Sequence, residues 1–136
     1  MGPRVMVAYS FKSRFVGAIL EGSKVGTIRA EGRRRHAIPG EELQLYTGMR
    51  TRSCRLVARA TCASVDHIRL DFGSRGEPVR LNGDAWFRRE GELDAFARGD
   101  GFRDWEDLRA FWAEAHGQPT FSGVWIRWEP GSVIRA

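Results

Sequence analysis

The sequence predicts an α+β fold built on a mixed, strongly curved sheet. Three observations lead there. Apolar residues alternate in the opening, middle and closing segments, as they do along strands. Between those segments they recur at three- and four-residue spacing, as they do on one face of a helix. The resulting order is strand, helix, several strands, two helices, strand. Helices and strands do not alternate regularly, which argues against a doubly wound parallel sheet.

Taken in chain order, Val5, Val7 and Tyr9 alternate with Met6 and Ala8 in an opening strand. Ser13 stands as an N-cap before a helix whose apolar face is Phe15, Val16, Ile19 and Leu20. Gly22 sits where a left-handed residue would end that helix. Residues 23–29 read as a turn running into a short strand. Pro39-Gly40-Glu41 is a turn signal before a strand carrying Leu43, Leu45 and Thr47. The Val-, Ala- and Thr-rich stretch from Ser53 to Leu70 supplies one or two further strands. Residues 71–91 read as an excursion with one strand at Pro78–Leu81. A short helix over Glu92–Arg98 turns Leu93, Phe96 and Ala97 inward, and Gly99-Asp100-Gly101 breaks it. Asp104 and Asp107 form an acidic capping box for a stronger helix with the stripe Trp105, Leu108, Phe111, Trp112 and Ala115, ended by His116-Gly117. Val124, Ile126 and Trp128 alternate in a closing strand.

The chain has 136 residues, of which 42% are hydrophobic and 11% aromatic. This suits one domain over residues 1–136 with an ordinary core and excludes a disordered chain. No apolar run approaches the roughly 20 residues of a membrane helix, and the first residues carry no leader pattern, so the expected location is cytoplasmic, away from membranes. Pro3 and the lack of Ser or Thr at position 6 argue against myristoylation of Gly2. Cys54 and Cys62 would lie about 26 Å apart along a regular strand, too far for a disulfide, and read as small buried hydrophobes. His36, His67 and His116 share no ligand spacing, so neither a metal nor another cofactor is expected.

The formal charge is +5, unevenly placed. Residues 1–60 hold 12 basic and 4 acidic side chains, a net of +8, whereas residues 61–136 hold 10 and 13, a net of −3. Such local imbalance suggests a polyanion footprint on one face, although a solvated Arg-rich surface would leave the same trace. The stretch Arg33-Arg34-Arg35-His36 and the group Arg50, Arg52 and Arg55 are the natural phosphate contacts. Only Lys12 and Lys24 are Lys, the basic residue that can lose its proton in a desolvated site.

Gly22-Ser23-Lys24-Val25-Gly26-Thr27-Ile28-Arg29, directly after the first helix, resembles the G-x-K-x-x-T-x-R opening motif of ASCH domains. Pro39-Gly40-Glu41, Leu45-Tyr46-Thr47-Gly48, Asp100-Gly101-Phe102 and Phe121-Ser122-Gly123-Val124-Trp125-Ile126 resemble later parts of the same family, so the likeness spans nearly the whole chain. The resemblance implies a PUA-like pseudo-β-barrel, a mixed curved sheet flanked by helices, that binds RNA or a modified nucleoside. Some small ASCH members are amidohydrolases that remove the acetyl group from acetylated cytidine with a Lys, a Thr and a Glu. The Lys and Thr correspond to Lys24 and Thr27. The Glu corresponds to Asp100, a departure that shortens the side chain by one methylene, and a carboxylate displaced by about 1 Å loses much of its catalytic value.

Amide hydrolysis needs a nucleophile, a base and an acid for the leaving nitrogen. Thr27 offers the hydroxyl, Lys24 the base once neutral, and Asp100 the acid or a hold on the cytosine amino edge. A three-residue offset along an extended segment points Lys24 and Thr27 to opposite faces, so the site requires a turn at Val25-Gly26, which Gly26 permits. Arg29 would clamp a carbonyl or phosphate, Arg50 a phosphate, and Tyr9, Phe11 and Tyr46 would stack on a base at the rim. Helix-dipole preference for Lys24, strand preference for Thr27 and core packing for Phe11 are the plainer roles. The expected function is an amidohydrolase acting on N-acylated cytidine or a related nucleoside. The alternatives are a non-catalytic RNA-binding module and a single-strand ribonuclease.

Overall fold

The computed structural model describes residues 6–74, 76–85 and 90–136. Val5 of the opening strand and the myristoylation reading of Gly2 lie outside them. Strand β1 (Met6–Phe11) leads through one 3-10 turn, Ser13–Phe15, into α1 (Val16–Glu21). Then come β2 (Gly26–Arg29), β3 (Glu42–Thr47), β4 (Arg55–Asp71), β5 (Val79–Leu81) and β6 (Asp84–Ala85). Helices α2 (Glu90–Gly99) and α3 (Trp105–His116) precede β7 (Thr120–Trp128), and β8 (Ile134–Arg135) follows it.

The sheet is mixed. β1 runs parallel to β3, while β3–β4, β4–β7 and β7–β2 are antiparallel. The organising element is β4, a single 17-residue strand where the sequence allowed one or two. A register shift between Cys62 and Ser64 bends it. Its first half pairs with β3 and β8, and its second half with β5 and β7. The path β1–β3–β4–β7–β2 therefore curls most of the way round and stays open between β1 and β2. Arg29 of β2 spans that opening, donating from Nη2 to the Ser10 carbonyl of β1 at 2.6 Å.

Inside the curl lie Leu43, Leu45, Ala58, Ala60, Ile126 and Trp128, continuous with Ile19 of α1 and with Phe96, Leu108 and Trp112 of α2 and α3. Fully burying an aliphatic side chain stabilises by about 1.5–3 kcal/mol, so these positions dominate the core. Among the described residues, no helix is long and apolar enough to cross a membrane.

Several local readings change. Ser13 does not cap a helix. It opens the 3-10 turn, and α1 starts at Val16 with no side-chain cap. Cys54 is exposed, just ahead of β4, and only Cys62 is a buried thiol. The excursion contains a hairpin, β5–β6, whose turn residues Asn82 and Gly83 both have positive φ, the backbone that an Asn-Gly hairpin supplies. The short helix is longer than its apolar pattern, reaching from Glu90 to Gly99. Ala115 is exposed and leaves the α3 stripe. The Asp104 cap is as expected, with its carboxylate accepting from the Asp107 N–H at 2.8 Å.

Candidate functional site

The opening between β1 and β2 leads into a cleft of about 280 Å3, lined along its floor by Phe11, Phe15, Lys24, Thr27, Arg29, Asp100 and Phe102. Two chain crossings assemble this floor. The segment after α1 folds back so that the Lys24 N–H reaches the Ala18 carbonyl at 3.0 Å, beside Gly22 with φ 93°. The end of α2 then docks on it, with the Val25 N–H donating to the Gly99 carbonyl at 2.7 Å. This contact carries Asp100 over Lys24, 76 residues away in sequence.

Lys24, Thr27 and Asp100 are 2%, 5% and 4% exposed. The Lys24 ammonium donates to the Asp100 carbonyl at 2.6 Å, to the Gly26 carbonyl at 2.7 Å and to Asp100 Oδ1 at 3.1 Å. The rings of Phe15 and Phe11 lie 5.0 and 5.4 Å from Nζ and exclude water from it. Burial draws the Lys24 ammonium below the usual lysine range, opposed by the Asp100 charge. Burial pushes the Asp100 carboxyl above the usual carboxylate range, opposed by Lys24 and Arg29. Burial thus draws both groups toward neutrality, and their mutual attraction opposes it.

The Thr27 hydroxyl accepts from Arg29 Nε at 3.1 Å. It makes no hydrogen bond to Lys24 among the described residues. The Arg29 guanidinium lies over Phe11 and Tyr9, 4.9 and 5.3 Å from their centroids, cation–π contacts that help fix its position.

Gly26 acts otherwise than the sequence suggested. It is not in the left-handed region and makes no turn there; it is the first residue of β2. A Cβ on it would stand 2.6 Å from Trp125 Nε1 and 2.9 Å from the Ile126 carbonyl. Glycine therefore lets β2 lie tight against β7. Lys24 reaches the same cleft as Thr27 because it lies outside the strand, in the segment leaving α1.

Of the other expected substrate contacts, Arg29 and Phe11 line the cleft, whereas Tyr9, Tyr46 and Arg50 do not. The Tyr9 hydroxyl bonds His36 Nδ1 at 3.0 Å and accepts from the Ala37 N–H at 3.3 Å, so it ties the 30–37 loop to β1. Tyr46 is half-buried on β3. Arg50 is exposed, with φ 66°, in the turn whose Met49 N–H reaches Ser10 Oγ at 3.3 Å. Within the basic stretch, Arg35 is committed to a two-point pair with Glu41, at 2.8 and 2.7 Å, and that pairing holds the Glu41 carboxyl down at about 2. Arg33 and Arg34 are exposed and enter no ion pair among the described residues.

Sequence reasoning missed the outer wall, made of Lys12, Phe111, Trp112, His116 and Phe121. Helical spacing assigns Phe111 and Trp112 to the core, and Phe121 enters only as part of the closing motif. The usable signal was the four-residue step from Trp112 to His116, which extends the stripe by one turn to an exposed imidazole. Among the described residues no cluster of His, Cys, Asp and Glu could hold a metal ion.

The chain is similar in structure to the ASCH protein of Zymomonas mobilis, with TM-score 0.53 and 14% sequence identity over 98% of this chain and 73% of that one. A point-mutant form of the same Zymomonas mobilis protein aligns with TM-score 0.46 and 14% identity over 97% and 74%. No protein-family model and no curated protein matches the sequence. The first likeness shows the fold.

Proposed function

For a chain with the ASCH fold, PUA-like and curled around a cleft, we propose an amidohydrolase that removes an acyl group from the exocyclic amine of cytidine or a related nucleoside. The observation that carries this reading is the convergence of Lys24, Thr27 and Asp100 on one buried floor, with Lys24 Nζ 3.1 Å from Asp100 Oδ1. In the resting cleft the Lys24 donors are committed to oxygens. Passage of one proton from Lys24 to Asp100 gives a neutral amine and a carboxylic acid, the pair that burial favours. The Thr27 hydroxyl then attacks the acyl carbonyl carbon while its proton goes to the Lys24 amine. The bond from that carbon to the nucleobase nitrogen breaks, and the nitrogen leaves with the Asp100 proton. Water releases the acyl group from Thr27. Arg29, already donating to the Thr27 oxygen, stabilises negative charge there.

Incubation of the purified protein with acetylated cytidine is expected to release cytidine, detected by chromatography. Thr27→Val, nearly isosteric, is expected to lower kcat/KM at least ~100-fold with the fold retained by circular dichroism, and Thr27→Ser to keep measurable turnover. Absence of cytidine, or undiminished turnover by Thr27→Val, sinks the enzyme reading.

A second reading, an RNA-binding module, is favoured by the exposed cations in residues 1–60 that enter no ion pair among the described residues: Lys12, Arg33, Arg34, Arg50, Arg52, Arg55 and Arg59. Single-stranded RNA binding is expected to weaken with salt, log K falling against log salt with a slope of about −0.7 per phosphate contacted. Binding that ignores salt would count against it.

A further inference from the structure

The outer half of the cleft differs from its floor. His116 is exposed, and Phe111 and Phe121 are half-buried, with Trp112 behind them. The Trp112 ring lies 4.4 Å from His116 and 4.6 Å from Phe121, and Phe111, packed on Phe15 and Phe102 at 5.7 and 5.2 Å, lines the same cleft, so aromatic rings make up much of its outer wall. Such a wall stacks a flat heterocycle with little regard to its identity.

Lys12 stands beside the wall, its ammonium 5.0 Å from the Phe111 centroid, exposed and in no ion pair among the described residues. The other cations lining the cleft are committed. Lys24 is held by two carbonyls and Asp100, and Arg29 by the Ser10 carbonyl and Thr27. Among the described residues the carboxylate lining the cleft is Asp100, which sits on the floor against Lys24. Lys12 therefore places a positive charge at the mouth, beside Phe111. A neutral nucleoside leaves Lys12 facing water, whereas a phosphate on the sugar meets it.

We infer that the cleft takes its ring as part of a phosphate-bearing nucleotide, the ring on the Phe111–His116–Phe121 wall and the phosphate at Lys12. The inference rests on the nucleoside reading of the cleft but does not require turnover. Calorimetric titration at low salt compares cytidine, cytidine 5′-monophosphate and a trinucleotide with a central cytidine. The monophosphate is expected to bind about tenfold more tightly than cytidine, the scale of one charge-assisted contact. Lys12→Met brings that ratio close to one and Lys12→Arg restores it. Arg135→Met, the same loss of charge on β8, leaves it intact. His116→Ala weakens cytidine and the monophosphate by a common factor of about three to tenfold. A trinucleotide binding more tightly than the monophosphate assigns the phosphate to an RNA strand, and the reverse to a free nucleotide. Equal affinity of the wild type for cytidine and its monophosphate, or a ratio that survives Lys12→Met, overturns the inference while leaving the nucleoside reading in place. Failure of all three to bind overturns both.

Discussion

Lys24→Ala is expected to lower the unfolding free energy by about 3–5 kcal/mol, measured by urea denaturation, because it strands the buried carboxylate of Asp100. Two carbonyls, those of Gly26 and Asp100, lose their donor as well. Lys24→Ala/Asp100→Leu removes the stranded charge but not the orphaned carbonyls, so the double variant should recover about 1–3 kcal/mol of the loss. The pH dependence has a definite sign. The folded-state pKa of Asp100 lies above its unfolded value, through burial, with Lys24 pulling it part of the way back. In the window between the two values the native state binds more protons than the unfolded chain, so stability falls as pH rises through it. Removing Lys24 widens that window upward. The deficit of Lys24→Ala relative to wild type should therefore be smaller near about pH 5 than near about pH 8. A deficit independent of pH, or a double variant no more stable than the single, would show that Asp100 is not the stranded group.

Gly101→Ala is the second large effect expected, about 2–4 kcal/mol of stability, with loss of cleft function beyond that cost. Gly101 has φ 93°, where an L side chain is strained. Its new Cβ would meet Lys24 Cδ at 2.8 Å and Phe15 Cδ1 at 2.9 Å. Lys24 must then move from the carbonyls that hold it. Gly17→Ala in α1, where nothing lies within 4 Å, is the matched control and should stabilise by about 0.5–1 kcal/mol. Thermal melts and urea titrations of the two variants check both signs. A Gly101→Ala protein as stable as wild type would mean that the α2–α3 corner yields easily and does not fix the Lys24 position.

The likeness to the Zymomonas mobilis ASCH structure agrees with the fold class drawn from element order and motif resemblance. Strands, helices and the Asp104 cap were legible because their signals are local: alternation, three- and four-residue spacing, a side-chain oxygen three residues from the N–H it accepts. Ser13 misled because a good capping residue was followed by a 3-10 turn instead of an α-helix. Cys54 misled because residue type favours burial while its position just outside β4 does not. Gly26 looked like a hinge, and its hydrogen for a side chain instead answers to the approach of β7, an element about a hundred residues later.

The cleft divides along the same line. Lys24 and Thr27 could be singled out from a motif contained in eight residues. Placing Asp100 against Lys24 required α2 to dock on the segment leaving α1, a contact that no local pattern encodes. The aromatic wall was invisible for a related reason. A stripe of Phe and Trp on a helix reads as core whenever something covers it, and at Phe111, His116 and Phe121 the opening between β1 and β2 leaves part of it uncovered. Periodicity therefore specified the elements, and the motif resemblance named the ammonium, the hydroxyl and the carboxylate. Their burial, the approach of the carboxylate to the ammonium and the position of Lys12 at the mouth follow from long-range packing, which alone decides where water is excluded and where it remains.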